Sequence, residues 1–210
     1  MQEAISARFS KRPKWKPLLA LVVALVIIGG VAAGAGFAMF GGSSAQAKQV
    51  TVRDRDGALI ATAAPSDAIG EASARLGFDL RVPSNFPTNA VDLINVVADT
   101  GPTGVQAALH IGMLEFSDGT TTATAATLEL YELPVRLDSP GGAAYDTGRP
   151  DMQLFATGLG TPRESFTLLT KDRTFTATFT NQVPAKDALA GFFLSLHPDV
   201  ALTVVPTTAK

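Results

Sequence analysis

The chain has 210 residues, 17 Lys+Arg against 19 Asp+Glu, two histidines and no cysteine. The absence of cysteine excludes disulfides, thiol nucleophiles, Cys-ligated zinc, iron–sulfur clusters and a lipidated cysteine anchor. Residues 1–17 hold Arg8, Lys11, Arg12, Lys14 and Lys16 against Glu3 alone, a local charge of +4 that leaves −6 for the remainder of a chain with net charge −2. An acidic remainder cannot neutralise phosphates, which argues against a nucleic-acid partner.

Residues 18–40 are 23 positions without a charge. At 1.5 Å per residue a helix of that length crosses a hydrocarbon core of about 30 Å. The basic flank before it predicts a cytoplasmic segment 1–17, a single transmembrane helix 18–40 acting as a signal-anchor, and an extracytoplasmic C-terminal domain in the cell membrane. A cleaved signal peptide, with an Ala-x-Ala site at 33–35 or 45–47, delivers the domain to the same side. Gly30 and Gly34 are four apart and would lie on one face of the span, where small residues let a second helix approach.

Residues 41–49 read as a linker and 50–205 as the domain. Asp56-Gly57 between two short β-like runs predicts a hairpin. Pro65-Ser66-Asp67 opens a helix that Ser66 can cap and Gly77 ends, with Ile69, Ala72 and Leu76 on one face. Residues 91–98, 106–116 and 123–133 are rich in β-branched and apolar side chains and read as strands, with Leu109, Ile111 and Met113 on one side and Leu128 and Leu130 likewise. Phe166 and Leu168 lead through a turn at Lys171-Asp172 to Phe175, Ala177 and Phe179, interleaved with Thr174, Thr176, Thr178 and Thr180. That period of two predicts an antiparallel sheet with a threonine-rich solvated face. In residues 184–196 the period changes: Leu189, Phe192, Phe193 and Leu196 mark an amphipathic helix whose aromatic side needs a cover, while Lys186 is expected to be dispensable. Residues 200–205 suggest a last strand, and 206–210 a tail. Together these predict an α+β fold: one N-terminal transmembrane helix, then a mainly antiparallel sheet packed with two helices.

Chemistry is sparse. His110 and His197 stand in no metal-spaced motif, and Gly158-Leu159-Gly160-Thr161 lacks the Gly-Lys-Ser/Thr ending of a phosphate loop. No Gly-x-Ser-x-Gly is present. Glu115, Glu129 and Glu132 fall on adjacent predicted strands, where a carboxylate pair is the requirement for glycoside hydrolysis. Residues 138–151 form a Gly/Pro/Asp-rich stretch long enough to close over an uncovered sheet surface, and its Tyr145 and Arg149 are the side chains able to contact a ligand. An aliphatic lining from Leu109, Ile111, Met113, Leu128 and Leu130 would favour an apolar guest.

Gly77-Phe78, Pro83 and Phe86-Pro87 look like a Phe-x-x-x-x-Pro-x-x-Leu-Pro entry motif. With the order of elements around it, over residues 66–197, the chain resembles an uncharacterised bacterial extracytoplasmic domain often found in anti-sigma-factor-associated and lipoprotein-sorting-like proteins. The 17 residues before the apolar run are too few for the cytoplasmic domain of an anti-sigma factor. The resemblance implies sensing or binding without enzymatic activity. The expected function is therefore a membrane-anchored binding or regulatory module with no cofactor or metal. Its expected partners are the lipid bilayer and another membrane protein or an apolar ligand. The alternatives are a structural subunit recruited through its transmembrane helix, and an envelope hydrolase.

Overall fold

Alternation of apolar and polar side chains dictates most of this structure. The computed structural model describes residues 48–101, 110–122, 124–138, 140–196 and 202–207, all within the unit Gln46–Lys210. Two strands, β1 (Val50–Arg53) and β2 (Leu59–Ala63), precede helix α1 (Pro65–Leu76). There follow β3 (Asp92–Asp99), β4 (Ile111–Ser117), β5 (Thr127–Leu133), β6 (Ala143–Asp146), β7 (Gln153–Thr157), β8 (Arg163–Leu169) and β9 (Thr174–Thr180). A 3-10 turn (Lys186–Ala188), helix α2 (Leu189–Leu196) and β10 (Val205–Pro206) end the described chain. All ten strands form one sheet in the order β10-β6-β7-β8-β9-β5-β4-β3-β1-β2.

The expected architecture needs correction. Among the described residues the fold is one large ten-stranded mixed sheet with only two short helices, of 12 and 8 residues; its pairings are antiparallel except for β1 with β3, and no membrane span precedes it in the described part. Among the described residues no helix is long and apolar enough to cross a membrane. The 18–40 run with Gly30 and Gly34 lies outside the described residues, so nothing here supports the single-pass or signal-anchor reading. The sheet is mixed because β1 runs parallel to β3. β2 doubles back along β1, and α1 then carries the chain over so that β3 enters in the direction of β1, the geometry that a crossover imposes.

Local chemistry explains the elements. In the β1–β2 turn the Asp54 carboxylate accepts from the N–H groups of Asp56 (3.0 Å) and Ala58 (2.8 Å), and Gly57 supplies the left-handed backbone at φ 81°. Helix α1 begins at Ala64, with Pro65 in its first turn and no side-chain cap, so the expected role of Ser66 is not realised. Gly77 ends the helix in the left-handed conformation. The four apolar residues of α2, Leu189, Phe192, Phe193 and Leu196, are all buried.

Both helices cover the same sheet face. On that face stand Val50, Val52, Val96, Leu114, Phe116, Leu128, Leu130, Phe166, Leu168, Phe175, Ala177 and Phe179, all buried. A Cβ at Gly112 would run into Leu76 and Leu80, so glycine there lets the end of α1 settle on β4. Edge-to-face rings tie the layers together: Phe192 of α2 packs on Phe179 of the sheet at 6.2 Å, Phe179 on its neighbour Phe166 at 6.0 Å, and Phe86, between α1 and β3, on Phe116 at 5.1 Å. The Phe86-Pro87 motif is thus a staple, with Pro87 O accepting from Ala185 N and Ser195 Oγ from Ser84 N.

Two carboxylates are buried under this cover. Glu132 pairs with Arg173 and accepts from Arg81 N at 2.7 Å, while Arg173 also donates to Asp79 O and lies over the Phe78 ring. Glu164, 2 % exposed, accepts from Gly160 N at 2.8 Å. Its other oxygen has no hydrogen bond and faces Lys186 Nζ at 3.6 Å. Lys186 is therefore not dispensable, as its place in the helical pattern suggested: it is the counter-ion of a buried charge.

Truncating Phe192 to Ala is expected to cost about 3–5 kcal/mol in chemical denaturation, the range for a core phenylalanine. Lys186→Ala should cost about 1–2 kcal/mol by leaving the buried Glu164 charge without its counter-ion, and Glu164→Gln in the same chain should recover part of that loss. Arg173→Met, which strands Glu132 in the core, should cost about 3–5 kcal/mol.

Candidate functional site

The face away from the helices carries most of the polar side chains of the strands, with Val97, Met113 and Phe155 among them. Strand register lines these residues up across the sheet. Thr62 pairs with Thr51, Thr51 with Asn95, Asn95 with Glu115 and Glu115 with Glu129. Glu129 pairs with Thr178, Thr178 with Ser165 and Ser165 with Thr157. The result is an unbroken row of hydroxyl, amide and carboxyl groups over eight strands, about 34 Å at the usual strand spacing. The bulge between Leu93 and Asn95 is what brings Asn95 into it.

The row is tied together internally. Thr51 Oγ1 donates to Asn95 Oδ1 at 2.8 Å, and Asn95 Nδ2 donates to Glu115 Oε2 at 3.3 Å. Ser165 and Thr178 share a hydrogen bond of 2.9 Å, as Thr167 and Thr176 do at 3.1 Å in the next row. At the centre two carboxylates stand directly opposite, an arrangement that like charges disfavour. The conflict is resolved asymmetrically. Glu129, its side chain 12 % exposed, accepts from Arg163 Nη2 and from Tyr131 Oη, each at 2.9 Å. Glu115 has only the Asn95 amide and the more distant charge of Arg53. Burial pushes the Glu115 carboxyl above its ordinary range, and the charge of Glu129 adds to the rise. Burial and the same Glu129 charge raise the Tyr131 hydroxyl, which stays a donor.

The residues singled out in the sequence are distributed differently. Tyr145 is buried in strand β6 and packs edge-to-face on Phe166 at 6.0 Å. Arg149 is held by both oxygens of Asp151, at 3.1 and 3.2 Å, in an exposed turn. The stretch 138–151 is no free loop, because β6 pairs with β7 and β10. The turn into it passes Gly142 at φ 104°, where a Cβ would collide with Ala156 O. The aliphatic lining is divided: Leu128 and Leu130 are in the core, Ile111 and Met113 stand half-buried on the polar face, and Leu109 lies outside the described residues. Of the three glutamates, Glu115 and Glu129 come together and Glu132 points to the other side. His110 Nδ1 lies 2.6 Å from Leu76 O, an end-of-helix contact, and His197 is outside the described residues. Among the described residues no three His, Asp or Glu side chains converge to hold a metal ion.

Asn95, Thr51, Arg53, Arg163 and Tyr131 escaped the sequence reading. The signal was partial: each occupies a polar position of an alternating strand, but which positions meet depends on register. No family model, curated protein or solved structure matches the chain.

The titration of Glu115 should show in stability. A carboxyl whose folded pKa is raised contributes stability that is fully present below its unfolded value, near 4.5, and is lost as pH rises through the folded value. Glu115→Gln should therefore gain on the wild type between acidic and neutral pH in paired thermal melts. Asn95→Ala, which removes a bond to the charged form, should move the Glu115 carboxyl signal in NMR titration further upward.

Proposed function

We propose that this chain is a non-catalytic binding module of the cell envelope that works outside the cytoplasmic membrane and docks a hydrogen-bonding protein partner on its polar sheet face. The carrying observation is the eight-strand row of polar side chains, with the carboxyl groups of Glu115 and Glu129 part-buried at its centre, Thr178 buried within it, and both helices on the far side. Half-buried charged and hydroxyl groups on preformed strands offer orientation-specific bonds at little ordering cost. The uncharged 18–40 run behind five basic residues supports export, and the motif resemblance supports a sensing or binding role. The acidic remainder of the chain speaks against nucleic acid. The face favours a polar partner over the apolar guest that the sequence suggested.

One observation favours a second reading, an envelope hydrolase. Glu115 and Glu129 are cross-strand neighbours in unequal environments, Glu115 raised by burial and Glu129 paired with Arg163, which is how an acid and its partner carboxylate are differentiated. Against it, Glu129 is committed to Arg163 and Tyr131.

Photo-crosslinking in intact cells tests the binding reading. A benzoylphenylalanine at Thr157 or Gln153, both exposed on the polar face, should give a discrete protein adduct, and one at Arg75 on α1 should give none. Equal labelling at the two faces, or none at either, would overturn it. Turnover of an envelope glycan that vanished in Glu115→Gln would establish the hydrolase instead.

A further inference from the structure

The two edges of the sheet are unequally protected. At one end β10 is two residues long and finishes in Pro206, a short, proline-blunted edge of the kind that resists further pairing. At the other end β2, LIATA, is five residues long, without charge or proline, and its regularity is broken only by a bulge at Ile60. Among the described residues only β1 pairs with it, and no other hydrogen bond reaches it. Leu59 in it is 58 % exposed. Strand edges left in this state are templates for another strand.

We infer that the occupant of this edge is the β2 strand of a second copy of the chain, in antiparallel register about Ala61. Three observations select a second copy. Centred on Ala61, the pairing places Ala61, Thr62 and Ala63 of each copy opposite Ala61, the Ile60 bulge and Leu59 of the other, and brings no like charges of β2 together. Antiparallel alignment also carries the hairpin tip of each copy toward the start of α1 in the other. There Arg55, exposed and 3.8 Å from its own Asp99, meets Asp67, the acidic residue of the first helical turn. Finally, with the far edge closed by β10, the two-fold contact ends at a dimer and does not propagate into a fibre.

The chain has no cysteine, so Ala61→Cys in the full chain reads the register directly. In an antiparallel pair, opposite Cα atoms are about 4.5 or 5.5 Å apart, within disulfide range. Under mild oxidation Ala61→Cys should form a disulfide dimer about tenfold faster than Leu159→Cys, an exposed control in the β7–β8 turn, because pairing raises the local thiol concentration. Adding Thr62→Lys, or Leu59→Lys if the first lowers the melting temperature, should bring the rate down to that of the control. Equal rates for Ala61→Cys and Leu159→Cys, no response to either lysine, or a disulfide between the Ala61→Cys chain and a different protein in cells would each overturn the inference.

Discussion

A ten-stranded sheet has two broad faces, and helices of 12 and 8 residues can shelter one of them. Everything else follows from how that shelter is made. The helices alone would leave gaps, and aromatic rings fill them: Phe192 stands between Phe86, Phe179 and Phe193, while Phe166 continues the chain of rings to Tyr145. Ring edges against ring faces bring large apolar area at fixed geometry, which lets an eight-residue helix hold down the centre of a sheet. The Glu132–Arg173 pair performs the complementary task at the other helix. It fixes the segment after α1 by its backbone, through Arg81 N and Asp79 O.

Because the helices cover one face, most of the other meets water, and its composition reflects that; the expected threonine-rich solvated face is realised only in part, since Thr174 and Thr178 are buried on it with Leu133 and Leu169, Thr174 being bonded to Leu137 N and Val135 O. Hydroxyl and amide side chains bridge strand to strand, so the face is a stabilising lattice as well as a surface. The asymmetry between Glu115 and Glu129 comes from the same constraint. The guanidinium of Arg163 satisfies one carboxylate, and the other lowers its charge by holding its proton to higher pH.

Much of the covered face was legible in the sequence. The Phe/Thr alternation of β9, the Phe166/Leu168 pair of β8, the Asp56-Gly57 hairpin and the four-residue apolar stripe of α2 each carry their own period. Even the separation of Glu132 from Glu129 is a matter of parity, since residues three apart on a strand face opposite ways. What could not be read is whatever depends on long-range neighbours. The polar row joins residues as far apart in the chain as Thr51 and Thr178, and nothing local sets β9 beside β5. β6 hid in a Gly/Pro/Asp-rich stretch because four residues made mostly of small side chains give no periodic signal, and Tyr145 looked free only because its strand was not visible. Ser66 resembled a cap but stands too late for one, since Pro65 at the head of the helix moves the boundary to Ala64.

The seam between β5 and β9 divides the sheet by history as well as by position. On one side β3, β4 and β5 are a run of sequential neighbours beside the β1–β2 hairpin; on the other β6, β7, β8 and β9 are a second sequential run. The two runs join in the sheet along one line, from Thr127 opposite Thr180 to Leu133 opposite Thr174. Closing that seam requires a loop of roughly forty residues or more, an entropic cost that local hairpins do not face. The molecule is thus two meanders zipped along one line. The closing zip also completes the polar row, since Glu129 belongs to one meander and Thr178, Ser165 and Arg163 to the other. The row on which the proposed partner docks is therefore complete only when that seam is closed, and a chain with the seam open presents its two parts separately.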